Sequence, residues 1–259
     1  MTTDAGARVS IGRGSVDRPK LPTIVADQIT QSILEDKLSP GSRLQPEHEM
    51  LEAFGVGRAT LREALRLLES EGLITLKTGP GGGPIVQRPD LGRVTRLLLI
   101  VLLTSGTSLR HVYEARGVLD PLIASLAAER ATPEQIAQLE DSLQVMKQAA
   151  GDEEALLMEN LRFHRLIADT AGNPVLDAYS FLIQDILDGH RMGIRYSPQR
   201  RRGIIESHAA IVRAIAERDR AQASAAAAAH VAEAVTYFER KYPGELDAPV
   251  SATAWVNHT

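Results

Sequence analysis

The sequence predicts a mainly α chain: a small N-terminal domain that closes on a β-hairpin, then an all-helical C-terminal bundle of about six to seven helices. Three observations predict it. Apolar residues recur at helical spacing through most of the chain. Two short extended runs, at 73–76 and 85–86, flank a Gly-rich loop at 78–84. After residue 90 no run alternates with period two, so no further strand is expected.

Residues 1–20 carry Gly6, Gly12 and Gly14 among scattered charges and read as a disordered arm. Residues 21–90 form the first domain. Ile24, Val25, Ile29, Ile33 and Leu34 give a helix, stopped by Ser39-Pro40-Gly41. A short helix fits 46–54, and Gly55-Val56-Gly57 is a tight turn. A second helix fits 58–70, with Leu61, Ala64, Leu65 and Leu68 on one buried stripe, and Gly72 ends it. The hairpin follows.

Residues 91–241 form the bundle. Gly106 breaks its first helix. Thr132-Pro133-Glu134-Gln135 starts another as a capping box with Pro at the first helical position. Gly151-Asp152 restarts the chain, Ala171-Gly172-Asn173-Pro174 stops it, and Ser197-Pro198 is a further start. Arg218-Asp219-Arg220 is a polar turn between two strong helices. The alanines at 225–229 indicate helix. Residues 242–259, with Pro243, Gly244 and Pro249, read as a loose tail.

Composition bounds the chemistry. At 44% hydrophobic and 24% charged the 259 residues can bury a core. The absence of cysteine removes disulfides, thiolate metal sites and cysteine nucleophiles, and suits a reducing compartment. The longest aliphatic run, 97–103, is far short of the ~20 residues of a membrane span. No apolar segment opens the chain, so no signal peptide is expected. A cytoplasmic, nucleoid-associated protein with no membrane partner is expected. The net charge of −4 argues weakly against nucleic acid.

The order of elements argues the other way. Helix, turn, helix and β-hairpin is the order of a winged helix-turn-helix domain, whose second helix enters the major groove by its first turn while the hairpin touches the backbone. Arg58, Arg62 and Arg66 stand at i, i+4 and i+8 on one face of that helix. Thr60 offers a hydroxyl to phosphate. Lys77 and the Gly81-Gly82-Gly83 loop can approach the backbone. Basicity adds nothing, since residues 1–90 hold 11 basic against 12 acidic side chains.

Pro40-Gly41-Ser42-Arg43-Leu44, Glu47, Phe54-Gly55-Val56, Arg58, Leu61-Arg62-Glu63-Ala64-Leu65, Leu68-Glu69 and Gly72-Leu73-Ile74 precede the Gly-rich loop and Ile85-Val86. This pattern resembles the DNA-binding domain of the GntR family of bacterial transcription regulators. The resemblance implies binding to double-stranded operator DNA by a homodimer, with Arg58 and Arg62 at the contacting positions. Two residues depart from the family pattern. His48 stands where Arg is common, and Gly57 stands where Ser or Thr is common, which removes a phosphate-contacting hydroxyl.

The bundle carries a histidine constellation. His208 lies 11 residues before Asp219 and His230 11 after it. If Asp219 turns a helical hairpin, both lie about 16 Å from the turn and level with each other. His164 stands on a third helix with Asn160 one turn earlier. Three imidazoles from three helices suit a divalent metal; structural histidines are the alternative.

Tyr113-Glu114-Ala115-Arg116, Leu119-Asp120-Pro121, Leu126-Ala127-Ala128, Phe163-His164, Ala171-Gly172-Asn173-Pro174, His208 and His230 resemble the FadR-type effector (FCD) domain of the same family. The resemblance implies metal ligation by His164, His208 and His230, with zinc the first choice and nickel or manganese possible. Its fourth ligand is an aspartate, replaced here by Asn160. It also implies a small carboxylate effector facing Arg116, with Tyr113 and Arg162 as further candidates. Arg116 could equally pair with Glu114 or Asp120, and His190 is an alternative fourth ligand. The cluster Arg191, Arg195, Arg200, Arg201 and Arg202 reads either as a solvated loop or as a DNA contact. Besides a ligand-responsive repressor, a helical metalloenzyme and a helical interaction protein remain as readings.

Overall fold

The computed structural model describes residues 20–79, 82–187 and 195–250, and the chain divides into two compact units, Met1–Asp90 and Leu91–Thr259. The expected disordered arm at 1–19 lies outside the described residues.

The first unit comprises α1 (Leu21–Glu35), α2 (Glu47–Phe54), α3 (Arg58–Ser70), β1 (Ile74–Lys77) and β2 (Gly83–Val86). Pro22 sits in the first turn of α1, where its missing N–H costs nothing. Val25, Ala26, Ile29 and Ile33 of α1 pack on Leu61, Ala64, Leu65 and Leu68 of α3, with Met50, Ile74 and Val86 closing the core. Gly55 ends α2 in the left-handed region (φ 62°), a backbone state that glycine reaches without penalty and that turns the chain into α3. The strands pair antiparallel with Ile74 opposite Val86 and Lys77 opposite Gly83. Ile74 and Val86, which face each other, are both buried, so burial fixes the register.

The second unit is all-helical among the described residues. It comprises α4 (Leu91–Thr104), α5 (Leu109–Arg130), α6 (Pro133–Gln148), a 3₁₀ turn at Ala149–Gly151, α7 (Glu153–Thr170), α8 (Pro174–Ile186), α9 (Pro198–Ala216) and α10 (Arg220–Lys241). The boundaries have local causes. Thr132 Oγ1 accepts from the Gln135 N–H at 3.2 Å and Gln135 Oε1 accepts from the Thr132 N–H at 2.9 Å. Asp152, Asn173, Ser197 and Asp219 cap α7, α8, α9 and α10 through side-chain oxygens.

The core of this unit runs between α5, α6, α7, α9 and α10. Ala124, Ala127 and Ala128 of α5 and Ala223, Ala226 and Ala227 of α10 are all buried in it. The alanine run therefore does more than favour helix: small side chains let α5 and α10, which pack on each other, approach closely. His230 continues the stripe of Ala223, Ala226 and Ala227 by one more turn, so it must face inward.

The tail differs from expectation. Residues 242–250 are not loose. The Arg110 N–H donates to the Leu246 carbonyl and the Val250 N–H to the Thr107 carbonyl, both at 2.8 Å. Leu246 is 2% exposed, and Arg110 grips Asp247 through Nε and Nη2. One buried leucine and two backbone bonds hold a segment whose Pro and Gly content denies it helical period but not packing. Residues 251–259 lie outside the described residues.

Candidate metal centre and DNA-reading surface

α3 presents two faces. Its apolar stripe is buried against α1, and Arg58, Arg62 and Arg66 are exposed on the other side. Arg62 is 68% exposed, and its Nε lies 3.7 Å from Glu47 Oε2 on α2. A pair this exposed is worth about 1 kcal/mol or less and can open to meet phosphate. Gly57 caps α3 with extended backbone (ψ 160°) and no side-chain hydrogen bond. Thr60 is only half-exposed. His48 is 77% exposed, 4.0 Å from Glu49. Lys77 is exposed at the end of β1, and Gly81 lies outside the described residues. Beside it, Gly82 has a physical necessity: a Cβ there would stand 2.3 Å from the Lys77 carbonyl oxygen.

In the bundle the three expected histidines meet. Candidate ligand atoms of His164, His208 and His230 all lie within 4.8 Å of one another. Helical period puts them there. His208 continues the buried stripe of Ile204, Ile211, Val212 and Ile215 on α9, and His164 follows Leu157, Asn160 and Leu161 on the inner face of α7. Phe163 stacks on His208 with ring centroids 4.2 Å apart, fixing the plane of that imidazole.

Burial sets their charge. It pushes the His208 pKa down to about 3, assisted by the positive Arg116 and Arg200. It also holds His164 and His230 well below the usual imidazole range, helped first by the neighbouring His208. All three are thus neutral near pH 7, the form that donates a lone pair. The tautomer of His230 follows from its neighbour. Ser207 Oγ lies 2.9 Å from the Ile204 carbonyl, which can only accept, so the hydroxyl donates there. Its oxygen then accepts from His230 Nδ1–H at 2.8 Å, leaving the Nε2 lone pair free. His208 is wholly buried, and neither ring nitrogen has a hydrogen-bond partner. A buried imidazole without partners is costly unless something else engages it. Three neutral nitrogens with an orphan among them fit a divalent ion.

A cavity of about 50 Å³ opens beside the triad, lined by His164 and His230 together with Asn160, Arg116 and Tyr113. Arg116 is 4% exposed. Its Nε donates to Asp120 Oδ2 at 2.8 Å, while its Nη2 has no partner. Arg116 thus pairs with Asp120, not Glu114, and also lines the cavity.

Arg162 is misplaced by the sequence reading. It is exposed and lies 2.8 Å from Glu159 and 4.0 Å from Asp141. Two residues from both Asn160 and His164, it sits about 200° round the helix from either. His190 and Arg191 lie outside the described residues. The cavity gains Arg200 instead, a residue that sequence reasoning left in an unplaced basic cluster. A signal existed: Arg200, Ile204 and His208 are spaced i, i+4 and i+8, one face of α9.

Known proteins bear on both units. Residues 23–82 match the family described as bacterial regulatory proteins, gntR family, and residues 111–233 match the FCD domain. The chain is 30% identical to the HTH-type transcriptional repressor NanR of Salmonella newport (strain SL254) and 29% identical to that of Cronobacter sakazakii (strain ATCC BAA-894). Each match covers 86% of this chain and 86% of the relative. A solved structure of Streptococcus agalactiae GntR superposes with a TM-score of 0.64 at 26% identity, over 82% of this chain and 98% of that one.

Proposed function

This chain belongs to the GntR family of DNA-binding bacterial transcription regulators, in its FCD-bearing branch, and from that premise we propose a repressor whose operator affinity is set by a small carboxylate bound beside a divalent metal. The observation that carries the reading is the triad of half-buried His164 with buried His208 and His230, the His208 nitrogens unpartnered, and the unpartnered Nη2 of Arg116. His164, His208 and His230 would hold the ion, with the Asn160 amide oxygen as the fourth donor. Imidazole donors suit zinc, the first choice, and nickel, whereas manganese prefers oxygen ligands. A bound ion supplies an open coordination position that attracts a carboxylate. Arg116 orients that carboxylate through its free donor edge. Tyr113, 6% exposed on the same wall, excludes water.

On α3, Arg58 and Arg62 read the major groove, with Arg66, Thr60, His48, Lys77 and Gly81 toward the backbone. Symmetric operators pair with symmetric proteins, so the acting species is a homodimer. The exposed apolar stripe Val94, Leu97 and Val101 on α4 supports a subunit contact. The repressor acts on cytoplasmic, nucleoid DNA. No helix among the described residues is long and apolar enough to cross a membrane.

A metal-free regulator with structural histidines is the competing reading. It leaves the His208 nitrogens without an explanation. Elemental analysis of the purified chain decides between them. About one divalent metal per chain, lost on replacing all three histidines by alanine, is the expected result. A metal-free protein whose operator binding still responds to small acids would overturn the metal reading.

A further inference from the structure

We propose that the acid held in this cavity carries two acid groups, one at Arg116 beside the metal centre and the other at Arg200; the inference rests on reading the cavity as the effector site.

Two guanidiniums from different helices, Arg116 on α5 and Arg200 on α9, line the same small cavity. Each has a buried nitrogen without a partner, Nη2 of Arg116 and Nε of Arg200. A single carboxylate is satisfied by one such fork and leaves the other donor stranded in a desolvated site. The local anions do not close the balance. Asp120 engages only the Nε of Arg116. The carboxylate nearest Arg200 is that of Glu233, 54% exposed and 3.9 Å away, whereas the Arg200 side chain is only 12% exposed. Arg200 is held from outside the cavity as well, its guanidinium 5.1 Å from the Tyr237 ring centroid. It stands in the first turn of α9, where the helix end adds positive potential. Triad nitrogens and the Asn160 amide contribute no negative charge, so a divalent ion would raise the cavity's positive charge further. A ligand with two separated anionic groups matches that distribution, and a monoacid leaves the Arg200 Nε without a hydrogen-bond partner.

The test compares acids that differ by one carboxylate. Full-length, zinc-loaded protein is titrated calorimetrically with malate and with 2-hydroxybutyrate, in which a methyl group replaces the second carboxylate. Succinate against butyrate repeats the comparison without the hydroxyl. The diacid should bind roughly tenfold or more tightly than its partner, as expected for one charge-assisted hydrogen-bonding group. Arg200→Gln should weaken the diacid alone and close the gap, and Arg200→Lys should keep part of it. Equal affinity within both pairs, or a gap that survives in Arg200→Gln, overturns the proposal. Should Arg200→Gln fail to fold, the wild-type comparison and Arg200→Lys still decide. Equal binding that remains zinc-dependent defeats only the two-acid inference, whereas no binding of any of the four acids defeats the carboxylate-effector reading with it.

Discussion

Acid should destabilise the metal-free protein through its buried histidines. His208 titrates near pH 3 when folded, because burial penalises its charged form, against 6.5 for an ordinary imidazole. Folded below unfolded means that the unfolded chain binds more protons between the two values. Stability is therefore full above 6.5 and falls as pH drops through it. At about pH 5.5 roughly nine-tenths of unfolded His208 is protonated while the folded ring stays neutral, a loss on the order of 1 kcal/mol relative to pH 7. His164 and His230 are held down in the same way, by burial and then by His208. Both add to the loss in the same direction, against a typical stability of about 5–15 kcal/mol. Urea unfolding of chelator-treated protein at about pH 7 and about pH 5.5 measures this. His208→Phe is the control, since a phenyl ring can stack on Phe163 and cannot titrate. Wild type should lose about 1 kcal/mol more than the variant on acidification; equal losses would refute the argument.

Arg58→Ala and Arg62→Ala should each weaken operator binding by about 1–3 kcal/mol by fluorescence anisotropy if a base contact is lost, with the melting temperature unchanged because both side chains are exposed. Ser207→Ala should lower metal affinity about 10–100-fold in competition with a chromophoric chelator, since His230 loses the acceptor that fixes its tautomer. Ser207→Thr should retain the affinity, and an unchanged Ser207→Ala would count against the assignment. Asn160→Asp should move two affinities in opposite directions, tightening the metal and loosening the acid. Calorimetry that finds both unchanged removes Asn160 from the site.

Much of the fold was legible because its signals are local. Capping at Thr132, Asp152, Asn173, Ser197 and Asp219 depends on residues within three positions of each other. The stripes of α3 and α9 follow a single period. The triad was legible by arithmetic, since equal distances from Asp219 bring His208 and His230 level on adjacent helices. What escaped was set by long-range packing. Nothing local distinguishes Arg200, which lines the cavity, from its exposed neighbour Arg202; only its phase relative to His208 does. The packing of 242–250 depends on backbone bonds to Thr107 and Arg110, more than 130 residues away. Arg162 is two residues from both Asn160 and His164, yet the period of the helix turns it to the exposed side.

The same distinction explains why net charge misled. A total of −4 sums the whole chain and does not report where single charges stand. On α3 three arginines occupy one face. In the bundle Arg116, Arg200 and the neutral imidazoles of His164 and His230 line one cavity, and the Asp120 carboxylate is already committed to Arg116. A divalent ion among such donors would have its charge uncompensated, and under the proposed function an acid would lose that attraction without the ion. Each would then strengthen the other. Linkage makes the factor equal in both directions, whichever ligand arrives first. An aspartate at position 160 would weaken that coupling by supplying the negative charge permanently. Under the proposed function Asn160 would leave that balance for the acid to supply, which would give such a regulator a physical reason to respond to its effector.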